Sequence, residues 1–147
     1  MASLTGRREA RERAVHLLYE ADQRNADADA LLAEQVLDPD PFTVEVIRGV
    51  LGDQDRLDAT IGRFAKGWDI GRMPSLDLIV MRIATFELSE HPDTPTAVIL
   101  NEAVELANTY GTDDSGRFVN GVLAAIAEVV RSPSGAGSPD ASGGADE

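Results

Sequence analysis

The chain has 147 residues, the size of one compact domain, with 43% hydrophobic but only 5% aromatic residues, so its core must be built from Leu, Ile, Val and Ala. Asp and Glu number 26 against 13 Lys and Arg, a net charge of -13, which argues against a general nucleic-acid coat or a membrane-surface protein. It leaves room for a local basic site, because screening acts over about 8–10 Å at physiological ionic strength. Cysteine is absent, which removes disulfides, thiolate metal sites and cysteine nucleophiles.

The pattern reads as helix after helix. From about Gly6 to Arg24, Ala10, Ala14, Leu17, Leu18 and Ala21 recur at spacings of three and four, the period of a one-faced helix. Asp27 or Asp29 is placed to cap a short second helix carrying Leu31, Leu32 and Val36, ended by Asp38-Pro39-Asp40-Pro41. A long helix follows, with Val46, Val50, Leu57, Ile61 and Phe64 on one stripe. Gly49, Gly52 and Gly62 each weaken it by up to roughly 1 kcal/mol relative to Ala, so a break or bend is expected.

Gly67, Gly71 and Pro74 mark a connection that also holds Trp68 and Met73. Ser75 begins the next helix, with Asp77 in its first turn. Leu76, Ile79, Val80, Ile83, Phe86 and Leu88 cover more than one narrow stripe, as expected of a helix central to the core. Thr94-Pro95 opens another helix carrying Val98, Ile99, Ala103, Leu106, Ala107 and Tyr110. Gly111 stands where a left-handed C-terminal residue is expected. Asp113, Asp114 and Ser115 offer caps for a last helix with Val119, Val122, Leu123, Ile126 and Val130. Asn120 and Gly121 are poor interior helix residues, so close packing or a side-chain hydrogen bond is expected there. No alternating strand pattern and no repeat is present, and the fold class is all-α with about six or seven helices. Residues 132–147 contain only Ser, Pro, Gly, Ala, Asp and Glu, and a solvated, disordered tail is expected.

Charge is segregated on the first helix. At about 100° per residue, Arg7, Arg8 and Arg11 share one arc beside the apolar face, while Glu9, Glu12, Arg13 and Glu20 lie on another. The arginine arc is thus free of carboxylates and is expected to be dispensable for folding. Its planar guanidinium groups suit phosphate; an ordinary solvated face with Arg8–Glu12 pairing is the competing reading. Phe118 reads either as core or as an aromatic platform for a base. Glu102 and Glu105 have no histidine at helical spacing and read as a solvated face or a hydrogen bond to another helix. There is no phosphate-binding loop, dinucleotide fingerprint or nucleophile elbow, and neither His16 nor His91 has a second ligand at metal spacing. No catalytic residue, metal site or cofactor is expected. No apolar run approaches the length of about 20 residues that crosses a bilayer and no signal core opens the chain, so a soluble, cytoplasmic protein is expected.

Several ordered motifs then point to one family. The run Arg7-Arg8-Glu9-Ala10-Arg11-Glu12-Arg13-Ala14-Val15 with Leu17-Leu18-Tyr19 resembles the N-terminal motif of the NusB family of bacterial transcription antitermination factors. Arg82-Ile83-Ala84 with Glu87-Leu88-Ser89 is similar to its central helix. Val98 to Ala107 with Tyr110-Gly111, and Asp114-Ser115 with Phe118-Val119-Asn120-Gly121-Val122-Leu123, are similar to its other signatures. The resemblance covers about residues 5–131, with 25–71 matching in helical pattern alone.

It implies two small helical bundles spanning residues 1–131, followed by the tail 132–147, and a non-enzymatic adaptor. Such an adaptor pairs with NusE, a ribosomal small-subunit protein, binds single-stranded boxA RNA of nascent ribosomal transcripts, and assembles on RNA polymerase. It implies RNA contacts at Arg7, Arg8, Arg11, Arg117 and Phe118. Tyr19, Arg82 and Glu87 would face NusE, with Asp114 near both surfaces; Glu87, being polar, is expected to tolerate replacement without loss of fold. Glu9 replaces a third consecutive arginine found in some members, which implies weak RNA affinity of the chain alone. Two rivals stand beside this reading: a helical protein–protein adaptor without RNA contact, which the net charge favours, and a NusB-like fragment of an RNA methyltransferase.

Overall fold

A computed structural model provides the three-dimensional structure and describes residues 4–131; the expected disordered tail lies outside them. Seven α-helices follow one another among the described residues: α1 (Leu4–Arg24), α2 (Ala28–Ala33), α3 (Pro41–Gly52), α4 (Gln54–Phe64), α5 (Ser75–Glu90), α6 (Thr96–Tyr110) and α7 (Ser115–Val130), with a 3₁₀ turn at Ile70–Arg72 between α4 and α5. The all-α expectation holds.

The apolar stripe of α1 is buried at Ala10, Ala14, Leu17, Leu18 and Ala21. Asn25 stops the helix in the left-handed region, φ 54°, which asparagine tolerates better than most side chains, and Ala26 N–H reaches back to the Ala21 carbonyl at 3.0 Å. Asp27 caps α2 by accepting from Ala30 N–H at 2.8 Å. That helix ends at Ala33, so Val36 is not on it but fully exposed, a correction to the sequence reading. The amide of Gln35 donates to the Leu31 carbonyl at 3.0 Å and plugs the last turn, after which the proline-bounded stretch leaves the helical path.

Asp40 caps α3 through Phe42 N–H at 2.7 Å, with Pro41 in the first turn. The long helix expected here breaks between Gly52 and Gln54. Asp53, at φ -131° and ψ 25°, leaves helical geometry, and Arg56 Nε donates to its carboxylate at 2.7 Å. Gly49 is in place for a packing reason: a Cβ there would overlap the Phe86 ring, 2.7 Å from Cδ1. Helices α3 and α5 therefore approach more closely than any side chain would allow.

Every residue of α5 from Asp77 to Leu88 is buried. Helices α1, α3, α4, α6 and α7 all pack against it, with α1 on α3 and α6 on α7 as the other close pairs, which is how two small bundles share one core. Gly111 is not left-handed as expected; its φ is -104°. Glycine is needed there because a Cβ would collide with the Ser115 hydroxyl and stand 2.7 Å from the Ala107 carbonyl oxygen. Ser115 itself accepts from Thr112 N–H at 2.9 Å, while Asp114 precedes α7 without making a side-chain cap bond. Asn120 and Gly121 face solvent and a Cβ on Gly121 would meet nothing within 4 Å, so the close packing expected of them is absent. It occurs instead at Gly116, where a Cβ would run into the Asn108 carboxamide.

Arg131 closes the fold. Its guanidinium donates to the carbonyls of Leu88 (3.0 Å), His91 (2.8 Å) and Thr94 (2.6 Å), tying the C-terminal residue of the described chain to the exit of α5.

Candidate nucleic-acid interface

The arginines of α1 separate into three environments. Arg7 lays its guanidinium 4.0 Å from the centroid of the Phe42 ring, a cation–π contact, at the rim of a cavity of about 810 Å³ between the start of α3 and the His91–Thr94 connection. Arg8 is more exposed, 58% by side chain, yet forms a two-pronged ion pair with Glu102 of α6 through Nε at 3.1 Å and Nη2 at 2.7 Å. Arg11 is 3% exposed and forks onto Glu87 of α5, itself 1% exposed, at 2.8 and 2.6 Å. Its other Nη lies 3.9 Å from Glu102.

These contacts correct the sequence reading in two places. The arginine arc is free of carboxylates along α1, but α5 and α6 bring Glu87 and Glu102 against it, so Arg11 is part of the interior and not a dispensable surface cation. Glu87 is likewise no surface residue: it is the buried acceptor of Arg11. The two form a bidentate charged pair with no water-facing edge, the arrangement that makes loss of either partner costly. Glu102 takes the second of its two sequence readings, a hydrogen bond to another helix.

The hydrogen bond from Arg8 holds the Glu102 carboxyl below its ordinary value of 4.5, against an opposing push from partial burial, and Arg8 in turn is raised. A carboxyl whose folded pKa is depressed adds stability above its unfolded value and loses it as pH falls through the folded value. Acidification below 4.5 should therefore loosen the α1–α6 contact. Melting curves recorded from neutral pH downward should drop more steeply for the wild type than for Glu102→Gln; identical slopes would show that this pair carries no pH-dependent stability.

The other sequence-predicted residues are distributed around the fold. Arg82 is buried and its fork grips Asp58 of α4 at 2.7 and 2.8 Å. Tyr19 is exposed on α1. Asp114 and Arg117 are highly exposed and 3.8 Å apart at the start of α7. Phe118 is half-buried and meets Trp68 with ring centroids 5.1 Å apart at an interplanar angle of 50°, so it is part core and part platform. Asp58 and Trp68 were not among the predicted site residues. Nothing local marks Asp58; Trp68, the only tryptophan, sits between Lys66 and Arg72, which was a signal. On α6, Tyr110 contacts His16 Nε2 at 3.1 Å and donates to Glu12 at 3.4 Å, and burial together with Glu12 raises its pKa.

Among the described residues no group of three or more His, Cys, Asp or Glu could hold a metal ion, and no helix is long and apolar enough to cross a membrane. What the fold presents is a set of helices joined by arginine–carboxylate forks, with exposed cations at the start of α1 and aromatics at the start of α7. This is an all-α fold of the adaptor type, without a catalytic or metal centre among the described residues, and the comparisons give its family. The NusB family profile matches residues 8–128. The transcription antitermination protein NusB of Beutenbergia cavernae is 43% identical over 134 residues, spanning 82% of this chain and 88% of that protein. That of Saccharopolyspora erythraea is 45% identical over 129 residues, spanning 84% and 87%. The solved structure of T. maritima NusB superimposes with a TM-score of 0.76 at 35% identity, covering 87% of this chain and 93% of that one. The chain belongs to the NusB family.

Proposed function

We propose that this chain is the RNA-binding adaptor of an antitermination complex: it pairs with NusE, binds single-stranded boxA RNA of nascent ribosomal transcripts, and acts on RNA polymerase in the cytoplasm without catalysing a reaction. The observation that carries this reading is the Arg8 fork. It already holds two oxygens of one anion in bidentate geometry at the surface, and a phosphate offers the same pair of acceptors. Arg7, one residue away and paired with a ring instead of a carboxylate, supplies the second phosphate contact. Arg117 and Phe118 extend the path. Arg11 supports it from beneath, with its guanidinium inside the fold. Tyr19 and Asp114 form the NusE side, and the buried Arg82 and Glu87 act there indirectly, by fixing α5 against α4 and against α1.

The neutralisation of Arg8 by Glu102 favours a second reading, a protein adaptor without RNA contact. One titration separates them. With NusE present, Arg7→Ala/Arg8→Ala should weaken binding of a boxA transcript and flatten the slope of log affinity against log salt by about 1.4, at roughly 0.7 per contact for a single strand. Affinity and slope equal to wild type would leave the protein-adaptor reading in place.

A further inference from the structure

The distribution of unpaired positive charge points to a second contact surface. Arg8, Arg24, Arg48 and Arg56 each have a carboxylate within 2.7 Å, and Arg82 is buried against Asp58. In contrast, Arg63, Lys66 and Arg72 are exposed and, among the described residues, have no ion-pair partner. Lys66 is the only lysine of the chain. Arg63 stands in the last turn of α4, over the Phe64 ring, and Lys66 and Arg72 lie in the connection from α4 to α5; between these two stands Trp68, 50% exposed, its ring against Phe118. The acidic neighbour Asp69 is engaged in capping the 3₁₀ turn, accepting from Gly71 N–H at 3.0 Å. In an acidic molecule this is one place where free cations flank an open aromatic face.

We propose that the α4–α5 connection binds single-stranded RNA, with a base stacked on Trp68 and the adjoining phosphates on Lys66 and Arg72. Alternation of an aromatic face with cations is the chemistry of single-strand recognition: the ring takes any base, and the charges follow the backbone. The tilted contact with Phe118 restrains the indole while half of the residue stays exposed, so less rotamer freedom remains to be lost when a base arrives. The surface adjoins Phe118, whose helix α7 packs on α6 through Gly116 and Asn108, and Arg8 meets Glu102 on that same helix α6. The inference rests on the RNA-binding reading above and lengthens the path from Arg8 past Phe118 to Arg72.

Because Trp68 is the sole tryptophan, the difference in emission between wild-type and Trp68→Phe complexes with NusE isolates its signal during titration with unlabelled single-stranded boxA RNA. That signal should be quenched at saturation. With fluorescein-labelled RNA and anisotropy detection, Trp68→Ala should bind about tenfold more weakly with an unchanged salt slope, while Trp68→Phe keeps most of the affinity. Lys66→Ala/Arg72→Ala should flatten the slope by about 1.4 and keeps the test decisive should Trp68→Ala fail to fold. If RNA binds the wild type but both sets of variants match it in affinity and slope, this inference is wrong and the RNA-binding reading stands. Loss of NusE binding with RNA binding intact would overturn it in favour of a protein-docking surface. If boxA RNA binds none of the complexes, wild type included, both readings fall together.

Discussion

Arg11→Ala is expected to destabilise the domain by about 3–5 kcal/mol, because it leaves the Glu87 carboxylate buried and alone. The pair joins α1 to α5 through two hydrogen bonds of 2.8 and 2.6 Å, with both side chains nearly inaccessible. Glu87→Ala should cost a similar amount by orphaning the guanidinium. The informative variant removes both charges at once. Arg11→Met/Glu87→Leu fills the volume with apolar atoms and should recover most of the loss, since a buried ion pair is often replaceable by well-packed hydrophobic side chains. Urea denaturation of the four proteins closes the cycle. A single-variant cost below 1 kcal/mol would mean that water enters the site and solvates the stranded charge. The result also bears on function, because any loss of RNA binding in Arg11→Ala would have to be separated from unfolding.

Arg131→Ala is the second large effect. The last carbonyls of α5 have no partners within the helix, and Arg131 reaches across from α7 to supply donors and positive charge at that negative end. The same guanidinium holds the Thr94 carbonyl and, at 3.3 Å, the Thr96 hydroxyl, so it fixes the entry to α6 as well. A cost of about 2–3 kcal/mol is expected, a fall in melting temperature on the order of 10 °C. Arg131→Lys should rescue little, because one ammonium group cannot serve acceptors fanned around a planar fork. Calorimetry checks both. Near-wild-type melting of the alanine variant would show that water replaces the guanidinium at these carbonyls.

Helix content and order were legible in the sequence because the apolar spacing in α1, α5, α6 and α7 is regular and the proline, asparagine and aspartate signals between them are strong. Junction details were less so. Gly111 looked like a left-handed stop, but its requirement comes from Ser115 folding back over it, a contact that local propensity does not encode. The break at Asp53 was foreshadowed by weak glycines, whereas its position, directly after Gly52, was not marked by any one of them. The site shows the same division. A helical wheel gives neighbours along α1 and is silent about what α5 and α6 place opposite, so Arg11 read as a surface cation until Glu87 and Glu102 were seen against it. Arg82 lost its surface reading in the same way, through Asp58.

The buried run Asp77–Leu88 of the central helix has a consequence for how the domain comes apart. Helix α5 is wall to both bundles, in contact with α1 and α3 and with α4, α6 and α7, so neither bundle keeps its full core once it leaves. Melting should then be a single all-or-none event, and the amides of Ile79 to Leu88 should exchange with solvent only through global opening. A chain divided after α4 would yield an N-terminal piece that keeps the α1–α3 contact but loses the α5 wall of its core. The two halves share one fate, and a change that loosens either is felt as loss of the whole.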